Sequence, residues 1–163
     1  MKQVFLLILA LLMLMPGCGE RREKQEISAA LNIDVTAGEI TDVWDTHGGF
    51  HGDGFSVVTV EDREGVIRGE ILASGEWRSL PLSGSISALL YSIAEEGTHE
   101  GRTGGSALPV PFAENGFWFF RDRHYACTDP ADDGAIFGRA SVNCTVAVYD
   151  ADTGRLYYVE YDT

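Results

Sequence analysis

The residues with the clearest capacity for chemistry lie in one glycine-rich segment, DTHGGFHGDG, which spans residues 45–54. Two histidines and two aspartates are arranged symmetrically about Gly49, in the order Asp45, His47, His51 and Asp53. If the chain folds back at this glycine, the two imidazoles can meet across the turn, each with a carboxylate on its own side. Such a set suits zinc or another divalent metal, and an open coordination position would acidify a bound water for hydrolysis.

A simpler interpretation of this segment needs no metal. Four of its ten residues are glycine, which permits positive φ angles and a sharp bend whose polar side chains lie in water. The spacing also matches no established zinc motif. On the sequence alone we favour the solvated bend. A metal-dependent hydrolase centred on Asp45, His47, His51 and Asp53 is the alternative function.

A second polar group, Arg121-Asp122-Arg123-His124, follows a strongly aromatic stretch that is typical of a strand. Alternation along a strand places Asp122 and His124 on one face and both arginines on the other. The first pair could transfer a proton and the second could bind an anion. Ion pairs between neighbouring strands explain the same residues, and we favour them. The sequence contains no Gly-x-Ser-x-Gly, phosphate-loop or His-Glu-x-x-His motif.

Four stretches together resemble a group of small uncharacterised bacterial lipoproteins. They are DTHGGFHGDG, WRSLPL from Trp77 to Leu82, ENGFWFFRDRH from Glu114 to His124, and the terminal AVYDADTGRLYYVEYDT. The resemblance implies secretion and a single α+β unit. It implies no catalytic role for any residue of this chain.

The N-terminal segment predicts the compartment. Lys2 precedes an apolar run of 12 residues, 4–15, that stops at Pro-Gly-Cys-Gly, as in a secretory signal peptide. A membrane-spanning helix needs roughly 20 apolar residues, so this shorter run favours a signal peptide over a permanent membrane span. Gly17 followed by Cys18 resembles the lipobox of bacterial lipoproteins, in which this cysteine is lipidated and becomes the mature N-terminus. Met15 and Pro16 depart from that pattern, and ordinary signal peptidase cleavage after Gly19 is the alternative.

The lipobox interpretation predicts a signal peptide over residues 1–17, a charged tether over 18–26 and a single domain over 27–163. Palmitate or another acyl chain on Cys18 would anchor the protein to the extracytoplasmic face of a bacterial cell membrane, and two chains would make that anchor stable. Loss of residues 1–17 removes one lysine and no acidic residue, which leaves a net charge of −14. Such a charge repels nucleic acid and anionic lipid headgroups.

With Cys18 assigned to the lipid, Cys127 and Cys144 remain as a pair. Conditions outside the cytoplasm would allow them to form a disulfide. An antiparallel register that sets Cys127 opposite Cys144 would bring the two side chains together. Two buried free thiols are the alternative.

Apolar periodicity predicts an α+β fold, with an antiparallel sheet of about five strands and two short helices packed on one face. The helices are expected over residues 62–74, with Asp62 as N-cap, and 85–94. Strand patterns cover residues 31–35, 40–44, 55–61, 117–125, 141–149 and 156–161, with a tight turn at 150–154.

The anchor and the missing catalytic motifs predict a non-enzymatic, membrane-tethered binding or accessory module. Its ligand would be an envelope protein or a small molecule. Insertion of the glycine-rich loop 97–111 into a partner protein is a further hypothesis, which depends on the composition of that loop.

Overall fold

The computed structural model of the chain describes residues 17–47, 52–96 and 110–163. The apolar run of the predicted signal peptide, His51 and residues 97–109 of the predicted loop lie outside these ranges. Within them, no helix combines the length and the apolar character needed to cross a membrane.

Six strands form one antiparallel sheet, which confirms the predicted α+β class and exceeds the expected number of about five strands. Their spatial order is β1-β2-β6-β5-β4-β3. The strands are β1 Glu39–Asp45, β2 Gly54–Glu61, β3 Arg78–Ser79, β4 Gly116–Asp122, β5 Asn143–Asp150 and β6 Arg155–Asp162. Because β6 returns from a tight turn to lie between β2 and β5, the C-terminal strand occupies the middle of the sheet.

In the described parts of the chain, three α-helices and one short 3₁₀-helix cover the sheet. They are α1 Gly17–Leu31, α2 Val66–Ser74, α3 Gly84–Glu96 and the 3₁₀-helix Asp133–Ile136. Helix α2 ends at Gly75, which has a φ of 70° and a left-handed conformation, as expected of a C-terminal glycine. Asp62 accepts a hydrogen bond from the Arg68 N–H at 3.0 Å, although the helix itself begins after Gly65.

The prediction that both helices pack on one face of the sheet is wrong. Ile67 and Ile71 of α2 join a core with α1 on one face, which we call the α1 face. Ile86, Leu89 and Leu90 of α3 join a separate core on the opposite face, the α3 face. The reason lies in β5, whose six central residues are all buried. A strand with apolar side chains pointing both ways needs cover on both sides.

The charged segment 19–26, expected to be a tether between the anchor and the domain, lies within α1. It contains no apolar residue, but ion pairs one turn apart support the helix. Glu20 lies 3.2 Å from Lys24, and Arg22 lies 2.8 Å from Glu26. The charged segment and the domain are therefore joined by a continuous helix.

The strand predicted over residues 31–35 is also wrong, because Leu31 is the last residue of α1. Asn32 has a φ of 55°, and the Ile33 N–H donates to the Ser28 carbonyl at 3.3 Å. This is the hydrogen-bond pattern of a helix C-cap with a left-handed residue. Ile33 and Val35 are nevertheless buried, so the apolar alternation reports burial after a helix end.

Candidate functional site

A row of polar side chains crosses the α1 face near one end of the sheet. The register pairs Asp45 with Ser56, Ser56 with Glu160, Glu160 with Thr145, and Thr145 with Arg121. Residues that pair directly across strands point to the same face. We call this set the polar row. It brings the first predicted metal ligand, Asp45, into line with the first arginine of the Arg121–His124 group.

A second polar row follows at the very end of the sheet. Gly54 pairs with Asp162, and Asp162 pairs with Asn143. The Arg123 N–H donates to the Asn143 carbonyl at 2.7 Å. His47 follows Asp45 by two residues and lies over Gly54. The two candidate motifs of the sequence are therefore joined through Asp162.

The His47 ring lies between two carboxylates. Its Nδ1 is 2.6 Å from Asp45 Oδ1, and its backbone N–H donates to the same oxygen at 2.7 Å. Its Nε2 is 3.6 Å from Asp162 Oδ2 and is buried without a hydrogen-bond partner. The hydrogen bonds from the His47 backbone and ring hold the pKa of the Asp45 carboxyl below its usual value. Asp45 is consequently a carboxylate at neutral pH.

Gly54 makes room for this ring. A Cβ atom at residue 54 would lie 2.7 Å from both Cγ and Cδ2 of His47 and 2.6 Å from its Cα. Such distances are far shorter than the van der Waals contact of about 3.5 Å or more. Any larger residue at this position would displace His47 from Asp45 and Asp162.

The charge of Asp162 is balanced by Arg123. Arg123 Nη2 donates to Asp162 Oδ1 at 2.9 Å and lies 4.0 Å from Glu160 Oε1. The interpretation of the arginines as partners in ion pairs is thus confirmed for Arg123. The structure does not form the acid–base pair drawn between the Asp122 and His124 side chains. The Asp122 oxygens accept from Arg139 Nη1 and the His124 backbone N–H, and His124 Nδ1 accepts from the Ala126 N–H at 3.2 Å.

A groove lies between α1 and the strands β1, β2 and β6, and it encloses about 280 Å³. Four carboxylates line it, from Glu23 and Glu26 of α1 and from Asp45 and Glu160 of the sheet. The other lining residues are Ile27, Ala30, Val43, Ser56, Val58 and Tyr158. We call this feature the acidic groove. Its helical wall is one face of α1, because the contributing residues recur every three or four positions.

The carboxylates of the acidic groove are only partly compensated. Glu26 pairs with Arg22 at 2.8 Å, and Glu160 accepts from the Tyr158 hydroxyl at 2.7 Å. Burial, together with Glu160, raises the pKa of Tyr158, so the phenol stays protonated and donates. Glu23 forms no hydrogen bond or ion pair within the described parts of the chain. Among the residues that the structure describes, no cationic side chain lines the groove.

Of the four predicted metal ligands, the structure brings Asp45 and His47 together and leaves Asp53 exposed; His51 lies outside the described residues. Among residues 17–47, 52–96 and 110–163, no group of three or more histidines, cysteines and acidic residues is arranged to hold a metal ion. No sequence pattern predicts Asp162, which lies next to His47. The antiparallel pairing of its strand with β2 would have revealed it.

The cysteine register predicted from the sequence is wrong. Cys144 faces Asp122 across β4 and β5, and Cys127 and Cys144 are both free thiols. The residue pairs of β4 and β5 end at Asp122. The Arg123 N–H still donates to the Asn143 carbonyl, and beyond it the His124 N–H donates to the Asp122 side chain at 3.0 Å. The Cys127 thiol contacts the Asp122 carboxylate. The pKa of the Cys127 thiol is raised, mainly by burial and secondly by this contact. The disulfide stays a prediction.

Comparisons with protein-family models, with curated proteins and with solved structures found no match to this chain. The proposed function is therefore inferred from the geometry of the site.

Proposed function

We propose that this protein is a membrane-tethered, extracytoplasmic and non-enzymatic binding module whose acidic groove binds a cationic group carried on an apolar body. The observation that carries the proposal is the composition of the groove, in which four carboxylates surround an apolar floor and no lysine or arginine is found among the described lining residues. An amine or guanidinium is the complementary charge. The net charge of −13 for the whole chain attracts such ligands from a distance.

The apolar floor adds affinity to this electrostatic attraction. Val43 is 53% exposed although it lies beside the core residues of β2. Covering half of a valine side chain contributes about 1 kcal/mol. A ligand with a hydrocarbon segment next to its charge gains this term, whereas a small inorganic cation does not. The groove thus favours organic cations, including lysine and arginine side chains of an envelope protein.

The anchor in this proposal is a lipid on Cys18, the second residue of α1. A helix rises about 1.5 Å per residue, so Glu26 lies about 12 Å along the helix axis from Cys18. A lipid at that position would hold the acidic groove close to the membrane surface on a helix rather than on a flexible tether.

Calorimetric titration of the full chain with octylguanidinium tests the groove. We expect binding, and we expect Glu23→Gln and Glu160→Gln each to weaken it about twofold to fivefold, because a partly exposed ion pair contributes about 0.5–1 kcal/mol. Glu64→Gln, the same change at an exposed residue that does not line the groove, is the matched control. Equal binding of octanoate, or equal weakening by the control, would refute the proposal.

The alternative is a hydrolase that uses a divalent metal at Asp45, His47, His51 and Asp53. The observation in its favour is the His47 ring held 2.6 Å from Asp45 with a buried Nε2 that lacks a partner. Elemental analysis of purified wild-type and His47→Ala protein tests it. A stoichiometric metal that is lost in the variant would support it, and its retention in the variant would exclude it.

A further inference from the structure

Strand β1 leaves one backbone edge open. It lies at the end of the strand order, and among the described residues only β2 pairs with it. The Thr46 N–H donates to the Phe55 carbonyl at 2.9 Å. Since hydrogen-bonded and non-hydrogen-bonded pairs alternate in an antiparallel ladder, Trp44 and Asp42 direct their backbone groups toward β2. Val43 and Asp45 direct theirs outward.

The same two residues, Val43 and Asp45, line the acidic groove with their side chains. A chain that paired with the outer edge of β1 would therefore place alternate side chains next to the groove. The ladder between β1 and β2 has a bulge between Ile40 and Asp42, which distorts the edge on that side. The regular, open part of the edge spans residues 42–45.

We propose that the outer edge of β1 binds an extended segment of a basic partner polypeptide as an additional strand, with a lysine or arginine side chain in the acidic groove. This inference rests on the proposed function, which supplies the cation-binding groove. Addition of a strand to an open sheet edge is a recurring mode of peptide recognition.

The acidic charge of the β1 edge determines which kind of strand can pair with it. Asp42 and Asp45 lie on the open stretch, and Glu23 and Glu160 line the adjoining groove. A second copy of this chain would bring an equally acidic edge against the first, and like charges on paired strands are destabilising. A partner strand with lysine or arginine at alternate positions has the opposite charge at the same spacing. The acidic charge of the edge thus disfavours pairing with a second copy of this chain and favours a basic partner.

The test uses the full chain and a peptide of alternating lysine and valine. A second peptide has the same side chains but carries an N-methyl group at every internal backbone nitrogen, so that it keeps the charge and neither of its edges can donate to β1. We expect the N-methylated peptide to bind at least about tenfold more weakly, since it loses at least one to two backbone hydrogen bonds. Amide hydrogen exchange at Val43 and Asp45 is expected to slow with the first peptide only.

Two variants separate the backbone from the side chain. Val43→Pro removes an outward N–H that β2 does not use, and proline is tolerated at such edge positions. Val43→Ala keeps the N–H and is the matched control. We expect about tenfold weaker binding for the proline variant and less than about threefold for alanine, for the same loss of hydrogen bonds. If the proline variant does not fold, the comparison of the two peptides with wild-type protein decides alone.

The outcomes are distinct. Equal binding of both peptides, with weakening by Glu23→Gln and Glu160→Gln, would refute strand addition and leave the groove proposal standing. Peptide binding that is unchanged in Glu23→Gln and Glu160→Gln but is lost on N-methylation would refute the groove as the cation site. Concentration-dependent dimers that Val43→Pro abolishes, without peptide binding, would assign the edge to a second copy and overturn the proposal.

Discussion

Replacement of Arg139 by methionine is expected to destabilise the protein strongly, because it leaves a buried carboxylate without its cation. Arg139 Nη1 lies 2.8 Å from Asp122 Oδ2, and the two side chains are 19% and 0% exposed. Breaking a buried ion pair by removing one partner costs about 3–5 kcal/mol. Asp122 keeps the hydrogen bond from the His124 N–H, and Nε and Nη2 of Arg139 are buried without partners. We therefore expect the lower end of this range, about 3 kcal/mol.

The pH dependence of the free energy of unfolding is a second, independent test of this ion pair. Burial alone would raise the pKa of the Asp122 carboxyl, but the Arg139 guanidinium and the His124 N–H outweigh it, and the pKa lies below its usual value. In the wild type this carboxylate therefore stabilises the fold above about pH 4, the ordinary pKa of aspartate, and loses that effect as the pH falls through the lowered value. Removal of Arg139 takes away the hydrogen bond and the charge that lower the pKa of the Asp122 carboxyl, while burial, the largest single cause, remains and raises it. The variant should then gain stability relative to wild type as the pH falls from about 7 to 5.

Urea unfolding at a series of pH values, followed by circular dichroism, measures both effects. Arg155→Met, at an exposed arginine of β6, is the matched control, and its change should stay within about 0.5 kcal/mol. Adding Asp122→Asn to Arg139→Met removes the unpaired charge, so part of the loss should return and the extra pH dependence should vanish. A loss below about 1 kcal/mol for Arg139→Met at pH 7, or no relative gain on acidification, would refute the reasoning.

Three further predictions concern the site, the thiols and the anchor. Gly54→Ala should cost about 1–3 kcal/mol by overpacking against His47, and should shift the His47 ring resonances in NMR spectra; unchanged resonances would contradict the packing. Burial raises the pKa of the Cys144 thiol to about 12, so iodoacetamide at pH 8 should modify the half-buried Cys127 first, as followed by mass spectrometry; labelling of neither before reduction would indicate a disulfide. Cys18→Ser should release the protein from the membrane fraction, and an unmodified N-terminal peptide in the wild type would exclude the lipid anchor.

Local periodicity was sufficient for much of the fold. The helix patterns around Ile67 and Ile71 and around Ile86 and Leu90 predicted α2 and α3, and both form. The same method failed between Leu31 and Val35, because alternate burial after a helix C-cap has the period of a strand. It also failed for the charged segment 19–26, since ion pairs along α1 are spaced by one helical turn and carry no apolar signal.

By itself, the sequence determined the α+β class, the order of most elements, the acidic charge and the presence of Asp45 and His47 in one glycine-rich segment, since these depend on neighbouring residues. Tertiary structure alone decided that Asp162 lies beside His47, that α2 and α3 cover opposite faces, and that α1 forms a wall of the acidic groove. Each of these depends on strand order and register, which join residues far apart in the chain. A shift of one residue in the pairing of β2 with β6 would turn Asp162 to the other face, and no local pattern excludes such a shift.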